Sequence, residues 1–161
     1  MSKIKNKTLF NLILLFSIFA LIAAYFIQYV LKHEPCNLCL IERIPYFFSI
    51  IVISICLFTG KFEKLSLIIL SLIFFSATLI AFYHFGIEQG FIKESLVCDL
   101  NNESNNLSKE ALLNELKTMP VSCKDVTFKI FGLSLATFNI FISLILSIIT
   151  IKVFLTYEEN R

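Results

Sequence analysis

Residues 9–31 read LFNLILLFSIFALIAAYFIQYVL, a run with no charged residue that is apolar around its whole circumference when wound as a helix. About 30 Å of hydrocarbon takes roughly 20 helical residues to cross, so this stretch is long enough to span a bilayer. Three further runs share its character, at about 38–59, 65–85 and 130–151, and only the second carries full charges, Glu42 and Arg43 near its start. A soluble helical core would need polar faces at the helical period, which these runs lack. The composition agrees, with 57% hydrophobic and 16% charged residues against the quarter-charged average of soluble domains. The first run is also longer than the apolar core of a cleaved signal peptide and lacks its small-residue cleavage site. The expected fold is an all-α membrane protein, a single domain over residues 1–161 built as a four-transmembrane-helix bundle.

Four spans place both termini on one side and the loops at 32–37 and 86–129 together on the other. The side with the termini has seven Lys and Arg against three Asp and Glu, and the opposite side has seven against nine. Orientation follows Lys and Arg rather than net charge, so the basic residues around the first helix, Lys3, Lys5 and Lys7, favour cytoplasmic termini. The residues between Gly60 and Lys64 read as a tight turn. In the second loop, Leu112, Leu116 and Met119 recur at helical spacing among Lys and Glu residues. Residues 107–119 are therefore expected to form a short amphipathic helix on the membrane surface, stopped by Pro120 before Cys123.

Five cysteines lie at 36, 39, 56, 98 and 123, and the topology places all but Cys56 in the two loops on one face. Cys56, in mid-membrane, reads as a packing residue. The remaining four divide into the close pair Cys36-Asn37-Leu38-Cys39 and the distant pair Cys98 and Cys123. A C-x-x-C suits redox cycling or zinc. Structural zinc sites usually draw on two short pairs, which makes zinc the weaker reading and no metal the expectation. Loops facing an oxidising compartment are expected to carry disulfides, which serve either as staples or as exchange partners.

The neighbours of the first pair favour exchange. Cys39 falls where the second helix begins, so unpaired backbone N–H groups and the positive end of the helix dipole are expected to stabilise its thiolate. Arg43, four residues on, is expected to set a permanent cation beside that sulfur or beside a bound ligand. Pro35 and Pro45 restrict the local backbone. The third run ends Phe82-Tyr83-His84-Phe85 and heads for the same face, which brings His84 to the depth of Arg43. Cationic and donor groups beside aromatic rings in a water-poor crevice suit a flat, neutral acceptor that gains negative charge on reduction, which is the character of a quinone.

Three segments carry a likeness to a known family: Pro35-Cys36-Asn37-Leu38-Cys39-Leu40-Ile41-Glu42-Arg43, Tyr83-His84-Phe85-Gly86-Ile87-Glu88-Gln89-Gly90 and Phe131-Gly132-Leu133-Ser134-Leu135-Ala136-Thr137-Phe138-Asn139. On these the chain resembles the DsbB family of bacterial disulfide-forming membrane proteins over nearly its whole length. The resemblance implies an inner-membrane thiol:quinone oxidoreductase with periplasmic cysteine loops. Its expected partner is a soluble thioredoxin-like thiol oxidase of the DsbA type, its acceptor is ubiquinone or menaquinone, and no nucleic acid is involved. It implies that Cys98 forms the mixed disulfide with the soluble partner and that Cys123 is its redox mate and exchanges with Cys36. Cys39 then passes electrons to the ring, with Arg43 and His84 at the quinone site. The chain departs from the family where Phe138 precedes Asn139, a position at which many relatives carry Trp. A C-x-x-C entering the second helix fits this family better than the vitamin K epoxide reductase type, whose pair lies on the last helix. Two non-enzymatic alternatives stand beside these, a membrane scaffold with structural disulfides and a metal-binding protein using the four cysteines.

Overall fold

A chain that cannot hydrogen-bond its backbone to solvent closes those bonds within helices, and the four apolar runs do so. The computed structural model describes residues 2–93, 122–124, 129–130 and 132–159. In chain order the elements are α1 (Ser2–Tyr29), α2 (Asn37–Ile41), α3 (Ile44–Thr59), α4 (Glu63–Glu88), a hairpin of β1 (Lys129–Ile130) and β2 (Leu133–Ser134), and α5 (Leu135–Glu159). Counting α2 and α3 as one, four segments are long and apolar enough to cross a membrane: Lys7–Tyr29, Asn37–Thr59, Glu63–Glu88 and Leu135–Thr156. This is the architecture of a multi-pass membrane protein. The surface helix expected at 107–119 lies outside the described residues.

The second run is not one helix. Pro45 has no amide hydrogen, and its ring collides with the carbonyl four residues back, at Ile41. The chain therefore turns at Glu42 and Arg43 and restarts as α3, with Pro45 in its first turn. The third helix starts earlier than the expected 65 and runs to Glu88, one turn beyond His84. The fourth starts later than 130. Its first residues form the hairpin, with Lys129 opposite Ser134 and Ile130 opposite Leu133, and Gly132 at φ 84° makes the reversal. Ser134 then accepts the Thr137 amide at 3.3 Å and caps α5. The first helix ends at Tyr29, where the Val30 and Leu31 amides both return to the Phe26 carbonyl and Lys32 reverses the chain at φ 55°.

Packing runs α1 against α3, α3 against α4, and α4 along α5. The main core joins Phe10, Ile13 and Leu21 of α1, Tyr46, Ile53 and Cys56 of α3, and Leu67, Leu70 and Phe74 of α4. Cys56 is buried there. Small hydroxyl residues let the helices approach, as where Ser17 and Ser49 meet at 2.9 Å across α1 and α3. Large apolar side chains such as Leu15, Phe48, Phe58 and Leu72 face outward. In water such a surface would be a liability, and in lipid it is the required exterior. A second, smaller cluster of Cys36, Leu38, Ile87 and Cys123 lies at the end of the bundle where α2 begins and α4 stops.

Candidate functional site

The break before Pro45 leaves α2 as a short turn of helix whose N-cap is Cys36. The Cys36 sulfur accepts the Cys39 amide at 3.2 Å, and the Cys36 carbonyl accepts the Leu40 amide at 3.2 Å. The thiolate-stabilising position at the helix start thus belongs to Cys36 and not, as the sequence suggested, to Cys39. Both thiols are free, and their sulfurs stand 2.7 Å apart, Cys36 buried and Cys39 half-buried.

His84 reaches this pair from α4. Its Nε2 is 3.5 Å from the Cys36 sulfur and its Nδ1 is 2.7 Å from Glu42 Oε1. The other Glu42 oxygen accepts from Asn139 Nδ2 on α5 at 2.8 Å, and Asn139 Oδ1 accepts from the Tyr46 hydroxyl at 2.6 Å and from Ser143 Oγ at 3.2 Å. A single polar chain thereby ties α2, α3, α4 and α5 around the thiol. With Nδ1–H donating to Glu42, the Nε2 atom can take the Cys36 proton or, once protonated, donate to the thiolate. The Cys36 thiol is held down to about 5, first by its hydrogen bond with Cys39 and then by the bond and charge of His84, while burial opposes the shift. Glu88 approaches from the next turn of α4, with Oε1 3.6 Å from His84 Nε2, and its other oxygen is buried with no hydrogen-bond partner.

These groups line a cavity of about 360 Å³, within the range that accommodates a small ligand. One wall is apolar, with Phe16, Ala20, Ala23, Ala24 and Ile27 of α1 and Phe138 and Ile142 of α5. The other carries Cys36, Cys39, Glu42, Arg43, His84 and Cys123. Arg43 is fixed by α1. It donates to Gln28 Oε1 at 2.6 Å, and its guanidinium carbon sits 5.0 Å over the Tyr25 ring. Cys123 is disulfide-bonded and buried against the same cluster as Cys36.

The structure therefore brings Cys36, Cys39, Arg43, His84 and Cys123 to one cavity, while Cys98 lies outside the described residues. His84 stands on Cys36 and Glu42, and Arg43 leans on α1. Sequence reasoning assigned no role to Glu42, Asn139, Gln28 or Glu88. Glu42 carried a usable signal, because an ionisable residue inside an apolar run is a functional candidate by default. Asn139 and Glu88 stood in segments that carried the family likeness but named no partner for either, and Gln28 carried no signal, since a lone amide in an apolar helix does not reveal which neighbour it meets.

Comparison with known proteins adds a frame to this geometry. The family model described as disulfide bond formation protein DsbB matches residues 6–153. An uncharacterized protein of Rickettsia prowazekii (strain Madrid E) is 27% identical, aligned over 99% of this chain and 93% of its own length.

Proposed function

We propose that this chain, which belongs to the DsbB family of disulfide bond formation proteins, is a thiol:quinone oxidoreductase that reoxidises a soluble thioredoxin-like dithiol protein of the DsbA type. The observation that carries this reading is the meeting of a free C-x-x-C pair and a disulfide-bonded third cysteine on one wall of a single cavity. Two cysteine pairs within reach of each other are what serial thiol–disulfide exchange requires.

In the proposed sequence a thiolate of the reduced partner attacks the Cys98 sulfur of a Cys98–Cys123 disulfide and releases Cys123 as thiolate. The partner's second thiolate attacks its own sulfur in the mixed disulfide, leaves oxidised and releases Cys98. Cys123 next attacks Cys36 of a Cys36–Cys39 disulfide and frees Cys39. Cys98 closes back on Cys123 and releases Cys36, so two electrons now reside on the Cys36 and Cys39 dithiol. Each step forms one S–S bond and breaks one. His84, oriented by Glu42, holds the proton that Cys36 gains or loses, and the low proton affinity of Cys36 makes it a good leaving group.

The character of the cavity supports a quinone as the acceptor. Its apolar α1 and α5 wall suits a flat ring, and Arg43, kept in place by Gln28 and Tyr25, offers a fixed fork of donors to a carbonyl oxygen. A membrane quinone, ubiquinone or menaquinone, supplies a two-electron acceptor when bound. Periplasmic cysteine loops with cytoplasmic termini in a bacterial inner membrane complete the reading.

Purified protein mixed with a reduced thioredoxin-like partner and a soluble quinone tests it. Expected is quinone reduction matched one-for-one by new partner disulfide, with a partner variant that keeps only its attacking cysteine accumulating as a covalent complex through Cys98, because no second partner thiolate is there to resolve it. Partner oxidation that ignores the quinone, or a complex trapped through Cys36, would overturn the sequence of steps.

A further inference from the structure

The geometry points to a zinc site in the reduced protein, made by Cys36, Cys39, His84 and Glu88, which caps the dithiol and withholds its electrons. The thiol sulfurs of Cys36 and Cys39 and a ring nitrogen of His84 already lie within 4.8 Å of one another. Tetrahedral zinc with sulfur at ~2.3 Å and nitrogen or oxygen at ~2.0–2.2 Å puts ligand sulfur about 3.6 Å from ligand nitrogen, and ligand nitrogen about 3.4 Å from ligand oxygen. Cys36 Sγ to His84 Nε2 is 3.5 Å and His84 Nε2 to Glu88 Oε1 is 3.6 Å. The sulfurs, 2.7 Å apart, must separate by about 1 Å to reach tetrahedral spacing, and the Glu88 carboxylate must move in to join the group formed by the other three ligand atoms. Cys39, half-buried at the cavity wall, has room to turn.

Two independent features point to a cation. The Glu88 side chain is only 6% exposed and lines the cavity, yet its Oε2 has no hydrogen-bond partner. A buried carboxylate oxygen without a partner is costly, and a metal ion would satisfy it. His84 also has the support that zinc-bound histidines have. Its outward nitrogen faces the thiols while Nδ1 bonds Glu42 at 2.7 Å, and Glu42 is held in turn by Asn139. Binding displaces a proton from any ligand thiol still protonated and changes no oxidation state. Oxidation to the Cys36–Cys39 disulfide removes two ligands, so the site exists in the dithiol state alone. Zinc would then act as a brake on the redox-active pair, released by chelation.

Full-length protein in detergent, reduced and desalted, is titrated with Zn²⁺ against a chromophoric chelator and separately with Co²⁺ as a spectroscopic probe. The expected result is one zinc per reduced chain and none in the oxidised chain, with thiolate-to-cobalt charge transfer and the strong visible absorption of a tetrahedral site. Zinc should shield Cys36 and Cys39 from alkylation, and Cys36→Ser should abolish binding. Glu42→Gln, acting through His84, should weaken binding about 10–100-fold, and Glu88→Gln at least about tenfold. Cys56→Ser and the double variant Cys98→Ser, Cys123→Ser should keep one zinc. Equal binding by oxidised protein, loss of zinc in the double variant, or unchanged affinity in Glu88→Gln would each overturn the site. None of these readouts needs quinone turnover, so failure of the oxidoreductase reading and failure of the zinc site are told apart.

Discussion

In the proposed chemistry most turns on Cys36, because its sulfur receives a backbone amide, a neighbouring thiol and an imidazole at once. In the reduced, metal-free protein its alkylation rate should inflect near pH 5 rather than near the ordinary thiol value of 9.0. Replacing Cys39 with Ala, which removes the largest of these influences, should move the inflection toward 9.0. An unmoved inflection would mean that the pair is not coupled. Because the folded value lies below the ordinary one, the thiolate's contribution to stability is full above about pH 9 and is lost as pH falls through about 5. Arg43 permits a second test. Lys keeps a positive charge but not the planar fork that holds Gln28 and faces the cavity. Arg43→Lys should weaken apparent quinone affinity, and Arg43→Ala should do so more severely, by about ten- to a hundredfold for a lost charge-assisted bond of roughly 1.5–3 kcal/mol. Quinone reduction rate against quinone concentration measures this, with partner exchange at Cys98 as the folding control. Unchanged kinetics in both variants would leave Arg43 as a membrane-interface anchor.

Among the elements, the divided second span does most to shape the site. Pro45 interrupts the helix where Glu42 must face His84 on α4 and Asn139 on α5 while the adjacent Arg43 faces Gln28 on α1. On an unbroken helix, neighbouring residues diverge by about 100°, and the turn at 42–43 sets how these two side chains part. Asn139 joins α5 to this turn by donating to Glu42 and accepting from Tyr46 and Ser143. Asn139→Leu leaves the Glu42 carboxylate short of a donor inside the bundle. It should lower stability by about 1–2 kcal/mol, the scale of a buried polar contact within a membrane. Unfolding in mixed detergent and dodecyl sulfate micelles measures it, and a variant as stable as the parent would show that water or a side-chain shift supplies the missing bond.

For the whole molecule, the four spans gather the second helix's start, the third helix's end and the fourth helix's start at one end of the bundle, around one cavity. Whether that end faces the periplasm is open to direct test at two exposed positions in opposite loops, Glu34 and Lys61. In a background with the native cysteines replaced by Ser, Glu34→Cys should react with a membrane-impermeant thiol reagent on intact cells after outer-membrane permeabilisation. Lys61→Cys should react only once the inner membrane is breached. The reverse pattern would place the cysteine loops in the cytoplasm, where reducing conditions oppose disulfide formation, and would remove the basis of the proposed function.

Length and hydropathy along the chain were enough for the four spans, and the spacing at 36 and 39 was enough to single out a cysteine pair whose sulfurs meet, because both signals are local. A run of about twenty apolar residues has few other solutions, and a C-x-x-C brings its sulfurs together within one helical turn. What Cys36, His84, Glu42 and Asn139 do for one another was settled only in three dimensions. They come from different helices, and the hydrogen bonds joining them depend on how α3, α4 and α5 rotate when they pack. The same holds for Glu88, whose orphaned oxygen follows from the third helix running one turn past His84, and for Cys36, rather than Cys39, standing at the start of the helix. Hydrophobic runs specify that helices form and cross the bilayer, while side-chain packing between them decides which polar groups face inward together.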